Sequence, residues 1–184
     1  MIKDQPQGYG LVTIVLHWVS AGSIIFLFAL GLYMTSLGYY DEWYHKGPDV
    51  HVSVGLILFV LMSVRLLWRL LSRSPNPLPE HTRLIRLASS AVKVVLYALV
   101  FTVMATGYLI TTAEGSAPEI FGWVSFPVLL ELEPGNVDLA GTVHWLLAWA
   151  IIVFASLHAL AALGHHFVLK DDTLKRIVRP VKNQ

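Results

Sequence analysis

Residues Val143 to His158 read VHWLLAWAIIVFASLH, an apolar run that carries a histidine near each end, His144 and His158. The run belongs to a longer apolar segment, 142–169, which exceeds the roughly 20 residues that a helix needs to cross the hydrocarbon core of a bilayer. A strongly hydrogen-bonding side chain is expensive at that depth and is a functional candidate by default. The segment therefore predicts a transmembrane helix with a functional site inside the membrane.

Composition extends this prediction to the whole chain. Of its 184 residues, 55% are hydrophobic and 14% are charged, and the mean hydropathy of +0.63 excludes an ordinary soluble domain. Three further apolar segments are long enough to span, at 11–37, 52–71 and 91–113. We expect an all-α membrane protein in which residues 1–184 form one up-and-down bundle of four helices. Its surroundings are then a lipid bilayer, and no nucleic-acid partner is expected.

The basic residues predict the orientation of the bundle. Only Lys46 of the 13 lysines and arginines lies on the side of the first and third loops, together with eight of the 12 acids. The other basic residues are Lys3, Arg65, Arg69, Arg73, Arg83, Arg86, Lys93, Lys170, Lys175, Arg176, Arg179 and Lys182, and the eight acids are Asp41, Glu42, Asp49, Glu114, Glu119, Glu131, Glu133 and Asp138. Because basic residues collect at cytoplasmic flanks, both termini are predicted to be cytoplasmic and the outer face to be acidic.

Four histidines are predicted to pair inside the bundle. His144 and His158 are fourteen residues apart, which in a helix means about 21 Å of rise and a rotation about 40° short of four turns. They therefore project from nearly the same face at two depths. His17 lies in the cytoplasmic half of the first helix, and His51 opens the second helix on the outer side. Antiparallel packing then places His17 opposite His158 and His51 opposite His144.

Two facing imidazoles are what six-coordinate haem iron requires at its axial positions. The absence of cysteine excludes iron–sulfur clusters and covalent haem attachment. Zinc usually takes four ligands from cysteine, histidine or carboxylates, and a histidine pair without a nearby carboxylate supplies too few. A proton relay needs acids inside the spans, and the first, second and fourth apolar segments contain none. The pattern thus predicts two non-covalent b haems, with interhelical hydrogen bonding as the alternative for each histidine.

Two basic residues are further candidates for contact with a cofactor. Arg65 follows His51 by fourteen residues, so it is expected on the same helix face near the inner pair. It either meets a haem propionate or snorkels to the cytoplasmic interface. Lys93, one turn inside the third helix, is a candidate propionate partner, quinone headgroup contact or interface anchor.

The remaining histidines divide between loops and the end of the last helix. His45 and His81 are predicted to be solvated loop residues. His165 follows His158 by seven residues on the same face and is the rival haem ligand. For His165 and His166 the alternative is contact with cytoplasmic lipid headgroups.

Three segments resemble the bacterial cytochrome b561 family, which are four-helix dihaem cytochromes of the inner membrane. They are HW at residues 17–18, HVSVGLILFVLMSVRLLWRL at 51–70 and HWLLAWAIIVFASLHALAALGHHFVLKDDTLKRIVRP at 144–180. The resemblance covers almost the whole chain, and by position it implies haem ligation by His17, His51, His144 and His158. The family commonly has a histidine early in its third helix, where this chain has Lys93 ahead of Tyr97.

Stand-alone members of that family resemble a superoxide:quinone oxidoreductase. The resemblance therefore implies an oxidoreductase that takes electrons from periplasmic superoxide to membrane ubiquinone, with no catalytic residue assigned. The alternative is a cytochrome b anchor and electron conduit for a partner dehydrogenase or hydrogenase. The acidic outer loops would not steer an anion, since only His45 and Lys46 provide local basic groups there. A quinone is expected near Arg69, Lys93 or His165.

Overall fold

The computed structural model describes residues 1–113 and 115–181. Glu114 and Lys182, two of the charged residues used to predict the orientation, lie outside the described residues. The helices are α1 (Leu11–Met34), α2 (Trp43–Leu71), α3 (Arg83–Thr111), α4 (Val137–Phe167) and the short α5 (Thr173–Val178). Between α3 and α4 lie two short strands, β1 (Glu119–Ile120) and β2 (Val124–Ser125), and a 3-10 helix at Pro134–Asn136.

Helices α1 to α4 are long and apolar enough to cross a membrane, as the sequence predicts. Many of their large apolar side chains are exposed, including Ile25 (64%), Leu67 (59%), Val94 (68%) and Leu157 (56%). An exposed apolar surface of this extent is unfavourable in water but suits hydrocarbon, where a helix satisfies its own backbone hydrogen bonds. The fold is thus consistent with a four-helix membrane bundle.

Three of the helices begin earlier than the apolar segments that predict them. α2 begins at Trp43, α3 at Arg83 and α4 at Val137, because helical hydrogen bonding continues past the apolar segment into polar flanking residues. The prediction that His51 opens the second helix is therefore wrong, and His144 likewise lies inside α4 and not at its start. Both histidines are held by helix on either side.

The chain divides into two compact units, and each long helix contributes residues to both. The first unit comprises residues 1–20, 61–97 and the described part of 152–184. In it, buried Asp4 accepts hydrogen bonds from the Gly10 amide (2.7 Å) and the Thr13 hydroxyl (2.9 Å) at the start of α1. The Met1 ammonium donates to the Val181 carbonyl at 2.7 Å. The first and last described residues of the chain are therefore in contact.

The second unit comprises residues 21–60 and the described part of 98–151. Its connecting segment between α3 and α4, the third loop, contains the antiparallel β1–β2 hairpin. The turn of the hairpin requires positive φ at Phe121 (49°) and Gly122 (72°), and glycine adopts such a φ without steric cost. The hydroxyl of buried Ser53 in α2 accepts from the Phe121 amide at 2.9 Å and donates to the Glu119 carbonyl at 3.2 Å. These bonds attach the hairpin to α2.

Candidate functional site

The first unit brings together one histidine from α1 and one from α4. The ring centroids of His17 and His158 are 6.5 Å apart, with an angle of 73° between the ring planes. Both residues are only partly exposed. Helices α1 and α4 thus bring two imidazoles together inside the first unit.

The second unit contains a matching pair from α2 and α4. The ring centroids of His51 and His144 are 6.2 Å apart, with an interplanar angle of 64°. The Nδ1 atom of His51 is buried and has no hydrogen-bond partner among the described residues. A buried ring nitrogen without a partner is costly, which suggests that this imidazole serves a ligand.

Both pairs have the spacing of two imidazoles on opposite sides of one metal ion. A metal-bound imidazole nitrogen lies about 2.0–2.1 Å from the metal, which puts the ring centroid about 3 Å from the metal. Two opposed ligands then have centroids about 6 Å apart, close to the 6.5 and 6.2 Å observed. The residues present therefore fit bis-histidine ligation of haem iron.

A threonine on α3 sets the proton position on His144. The Thr106 hydroxyl donates its single proton to the Val103 carbonyl at 2.8 Å, and its oxygen lies 3.1 Å from His144 Nδ1. Since that proton is already used, the oxygen accepts a hydrogen bond from Nδ1–H, and Nε2 keeps its lone pair for a metal ion. Sequence reasoning missed Thr106, because a threonine inside an apolar helix has no pattern of its own.

A glycine lies beside each imidazole of the second unit. A Cβ atom added at Gly107 of α3 would lie 3.0 Å from Cε1 of His144, and one added at Gly31 of α1 would lie 3.5 Å from Cε1 of His51. The approach at Gly107 is tighter than ordinary van der Waals contact.

Arg65 of α2 contacts His17, near the inner pair where the sequence expects it. Its Nη2 atom lies 2.8 Å from Nδ1 of His17, and its guanidinium carbon lies 5.4 Å from the centroid of the Tyr97 ring. Arginine has no acceptor atom, so Nδ1 accepts and the proton of a neutral His17 is on Nε2. If His17 bound a metal ion through Nε2, its proton would move to Nδ1, and Nδ1 could no longer accept a hydrogen bond from Arg65. Metal binding through Nε2 would therefore require Arg65 to move away from Nδ1.

The two basic candidates for quinone contact, Arg69 and Lys93, lie on helices of the same unit. Lys93 of α3 is exposed and interacts electrostatically with His158 and Arg69. The Nη1 atom of Arg69 is buried and has no hydrogen-bond partner among the described residues. Both cations are thus available to an acceptor from outside the chain.

The prediction that His81 is a solvated loop residue is wrong. Its side chain is 15% exposed, and Nε2 lies 3.1 Å from Oδ2 of Asp171. His165 Nδ1 lies 2.6 Å from the same oxygen, so His165 is paired with a carboxylate, whereas His158 is paired with His17. Burial raises the pKa of Asp171, but hydrogen bonds from Thr173, His165 and His81 outweigh this and hold the pKa below its usual range.

Comparison with known proteins relates this chain to membrane cytochromes. Residues 8–180 match the family model described as prokaryotic cytochrome b561. The chain is 44% identical to cytochrome b561 homolog 2 of Escherichia coli (strain K12) over 175 residues, which cover 95% of this chain and 93% of the relative. It is 31% identical to the probable superoxide oxidase CybB of Yersinia pestis, over 92% of this chain and 95% of the relative. Cytochrome b562 of Cereibacter sphaeroides is 32% identical over 96% and 98% of the two chains.

Proposed function

Because the chain belongs to the prokaryotic cytochrome b561 family, we propose that it carries electrons from periplasmic superoxide to membrane ubiquinone by means of two non-covalent b haems. Family membership and the four apolar helices make it a multi-pass bacterial membrane protein of transmembrane electron transfer. The observation that carries the proposal is that four histidines form two pairs with suitable spacing. The ring centroids are 6.5 Å apart in the His17–His158 pair and 6.2 Å apart in the His51–His144 pair.

These separations support a specific set of proposed ligands. His17 and His158 hold one haem iron, and His51 and His144 hold the other. Haem supplies one-electron redox chemistry when bound, and the protein supplies ligation, orientation and electrostatics. Thr106 keeps the proton of His144 on Nδ1, and Arg65 leaves His17 Nδ1 to pair with a propionate. Arg65 is suited to this role because its guanidinium binds carboxylates bidentately.

The electron balance determines the stoichiometry of the proposed reaction. A superoxide ion that loses one electron becomes dioxygen, whereas ubiquinone takes up two electrons and two protons to become ubiquinol. Two superoxide ions are therefore consumed for each quinone reduced. The name of the Yersinia pestis relative, a probable superoxide oxidase, supports superoxide as the donor.

For the quinone we propose a site beside Arg69 and Lys93. The unpartnered Nη1 atom of Arg69 and the exposed Lys93 ammonium are donors that a quinone carbonyl can accept from. His165, the third sequence candidate, is less suited because its Nδ1 is engaged with Asp171. The two cations would also stabilise the negative charge that develops as a quinone is reduced.

The acidic outer loops favour a second candidate function, an electron conduit for a basic donor protein such as a partner dehydrogenase or hydrogenase. Lys46, the single basic side chain predicted on that face, forms an ion pair with Glu42. The face is therefore less able to attract an anion than a basic protein. Co-purification of a redox partner would favour this function over direct oxidation of superoxide.

We propose the bacterial inner membrane as the location, with both termini in the cytoplasm. The contact of Met1 with Val181 supports termini on one side, and the basic residues of the sequence support the cytoplasm as that side. At either terminus, we expect a fused reporter that is active only in the cytoplasm to be active, and one that is active only in the periplasm to be inactive.

The haem content of the purified protein tests the ligand proposal. We expect a dithionite-reduced minus oxidised spectrum of low-spin haem b and two haems per chain. His17→Ala and His51→Ala should each lose one haem, because removal of an axial ligand leaves the iron held from one side. His45→Ala, which removes an exposed histidine, is the matched control and should keep both haems. Full occupancy in either ligand variant would refute the assignment.

A further inference from the structure

Three polar side chains that the electron-transfer proposal does not use meet in the first unit. His81 comes from the segment between α2 and α3, His165 from the last turn of α4, and Asp171 from the segment that follows α4. Their ligand atoms, Nε2 of His81, Nδ1 of His165 and a carboxylate oxygen of Asp171, all lie within 4.8 Å of one another. The imidazole centroids are 4.9 Å apart, so both rings are directed at the same carboxylate.

The spacing of these atoms suits one small cation. In a tetrahedral zinc site with bond lengths of about 2.0–2.1 Å, ligand atoms are about 3.3 Å from one another. The carboxylate oxygen of Asp171 lies 3.1 Å from His81 Nε2 and 2.6 Å from His165 Nδ1. The His81 distance is already close to this value, and a separation of His165 Nδ1 from the carboxylate oxygen by about a further 0.7 Å would admit a metal ion between the three atoms.

The carboxylate is held in place by the backbone that follows it. The Thr173 amide donates to Oδ1 of Asp171 at 2.9 Å, which leaves Oδ2 directed at the two imidazoles. Hydrogen bonds of this kind orient the ligands of protein metal sites. The Asp171 side chain is 5% exposed and the histidine side chains are 15% and 17% exposed, so the cluster is sheltered but reachable by an ion and a water molecule.

We propose that His81, His165 and Asp171 bind one divalent transition-metal ion of the zinc type. Two imidazole nitrogens and one carboxylate oxygen are a donor set that zinc and its neighbours accept, with water in the open position. On binding, the proton on each coordinating ring nitrogen moves to the other nitrogen of the same ring by exchange with solvent, so the imidazoles stay neutral. The ion links the α2–α3 segment to the segment after α4.

Such a link joins residues that are far apart in the chain. Closing a long loop through a metal ion restricts the unfolded chain more than closing a short one. Binding to the folded form alone also stabilises that form by mass action. We therefore expect the metal to raise the temperature at which the first unit loses its structure.

Calorimetric titration of the haem-loaded protein with Zn²⁺ tests the proposal. After removal of metals with EDTA, we expect one tight zinc per chain, and His81→Gln and Asp171→Asn should weaken binding at least about 10-fold. His45→Gln removes an exposed histidine outside the cluster and should bind zinc as the unaltered protein does. The haem spectrum of each variant verifies that it has folded.

X-ray absorption at the zinc edge of the unaltered protein gives a result that does not depend on any variant. The proposal expects two imidazole nitrogens and oxygen ligands in the first coordination shell. Absence of stoichiometric binding, binding that is equal in the cluster variants and in His45→Gln, or a shell without imidazole would each overturn it. None of these results would alter the haem count, so a failure here is distinguishable from a failure of the electron-transfer proposal.

Discussion

At the scale of single residues, the histidine pairs depend on small neighbours as much as on the imidazoles. His144 lies against Gly107 so closely that an added methyl group would be 3.0 Å from its Cε1 atom. Gly107 lies in α3, and the pair partner of His144 lies in α2. The position of the ring is therefore determined by three helices.

Gly107→Ala should displace His144 and weaken haem retention in the second unit. The new Cβ has too little space beside the ring, and overpacking of this kind costs about 1–3 kcal/mol. The measurement is the haem count per chain after incubation with a haem-scavenging protein, which should fall from two towards one. Gly141→Ala in α4 is the matched control, because a Cβ there meets no described heavy atom within 4 Å. Equal retention in both variants would show that the ring tolerates the methyl group.

At the scale of elements, the long helices follow from their apolar residues, whereas the third loop depends on particular hydrogen bonds. The Tyr108 hydroxyl of α3 donates to the Pro127 carbonyl at 2.6 Å and accepts from the Leu129 amide at 2.7 Å. The Thr112 hydroxyl also donates to the Leu130 carbonyl at 2.9 Å. The end of α3 thus anchors an irregular segment that has no regular structure of its own.

Tyr108→Phe should loosen residues 127–130 without unfolding the helices. The variant removes two hydrogen bonds, each worth about 0.5–1.5 kcal/mol, and leaves their backbone partners to solvent. Hydrogen–deuterium exchange of peptides from this segment should accelerate several-fold, while exchange in α3 and α4 stays slow. Tyr33→Phe serves as control, since the Tyr33 hydroxyl makes no hydrogen bond to the third loop among the described residues. Unchanged exchange in Tyr108→Phe would mean that other contacts hold the loop.

At the scale of the whole molecule, charge separates the two proposed donors. The structure describes seven of the eight acids predicted for the outer face. Lys46, the basic residue predicted for that face, forms an ion pair with Glu42, so the face is predicted to be negatively charged. A face of this sign repels superoxide at long range and attracts a basic protein. The salt dependence of the rate of superoxide oxidation therefore shows whether the charge of this face favours superoxide or a basic protein as the electron donor.

The rate constant for oxidation of superoxide should rise a few-fold as ionic strength increases from about 0.01 to 0.15 M. Over that range the Debye length falls from about 30 Å to about 8 Å, so repulsion by the acidic face is screened. Stopped-flow mixing with superoxide measures the rate, and reduction by a neutral quinol is the salt-independent control. A rate that falls with salt would instead indicate a positive path to the site.

Local sequence was sufficient for the membrane helices and for the pairing of His17 with His158 and of His51 with His144. Apolar length determines where a helix spans, and helical spacing determines which side chains share a face. Both are properties of a continuous stretch of chain, so they can be read without knowledge of the fold. Helix ends were less predictable, because α2 and α4 continue into polar residues whose conformation depends on their neighbours.

Contacts between distant segments required the tertiary structure. His81 is an unremarkable loop residue in the sequence, and only folding brings it within 3.1 Å of Asp171, which lies beyond α4. In the same way, the proton position on His144 depends on Thr106 of another helix. The physical reason is that a hydrogen bond or a metal site requires placement to within a few tenths of an ångström. Periodicity along one helix defines a face and a depth, but not the facing atom.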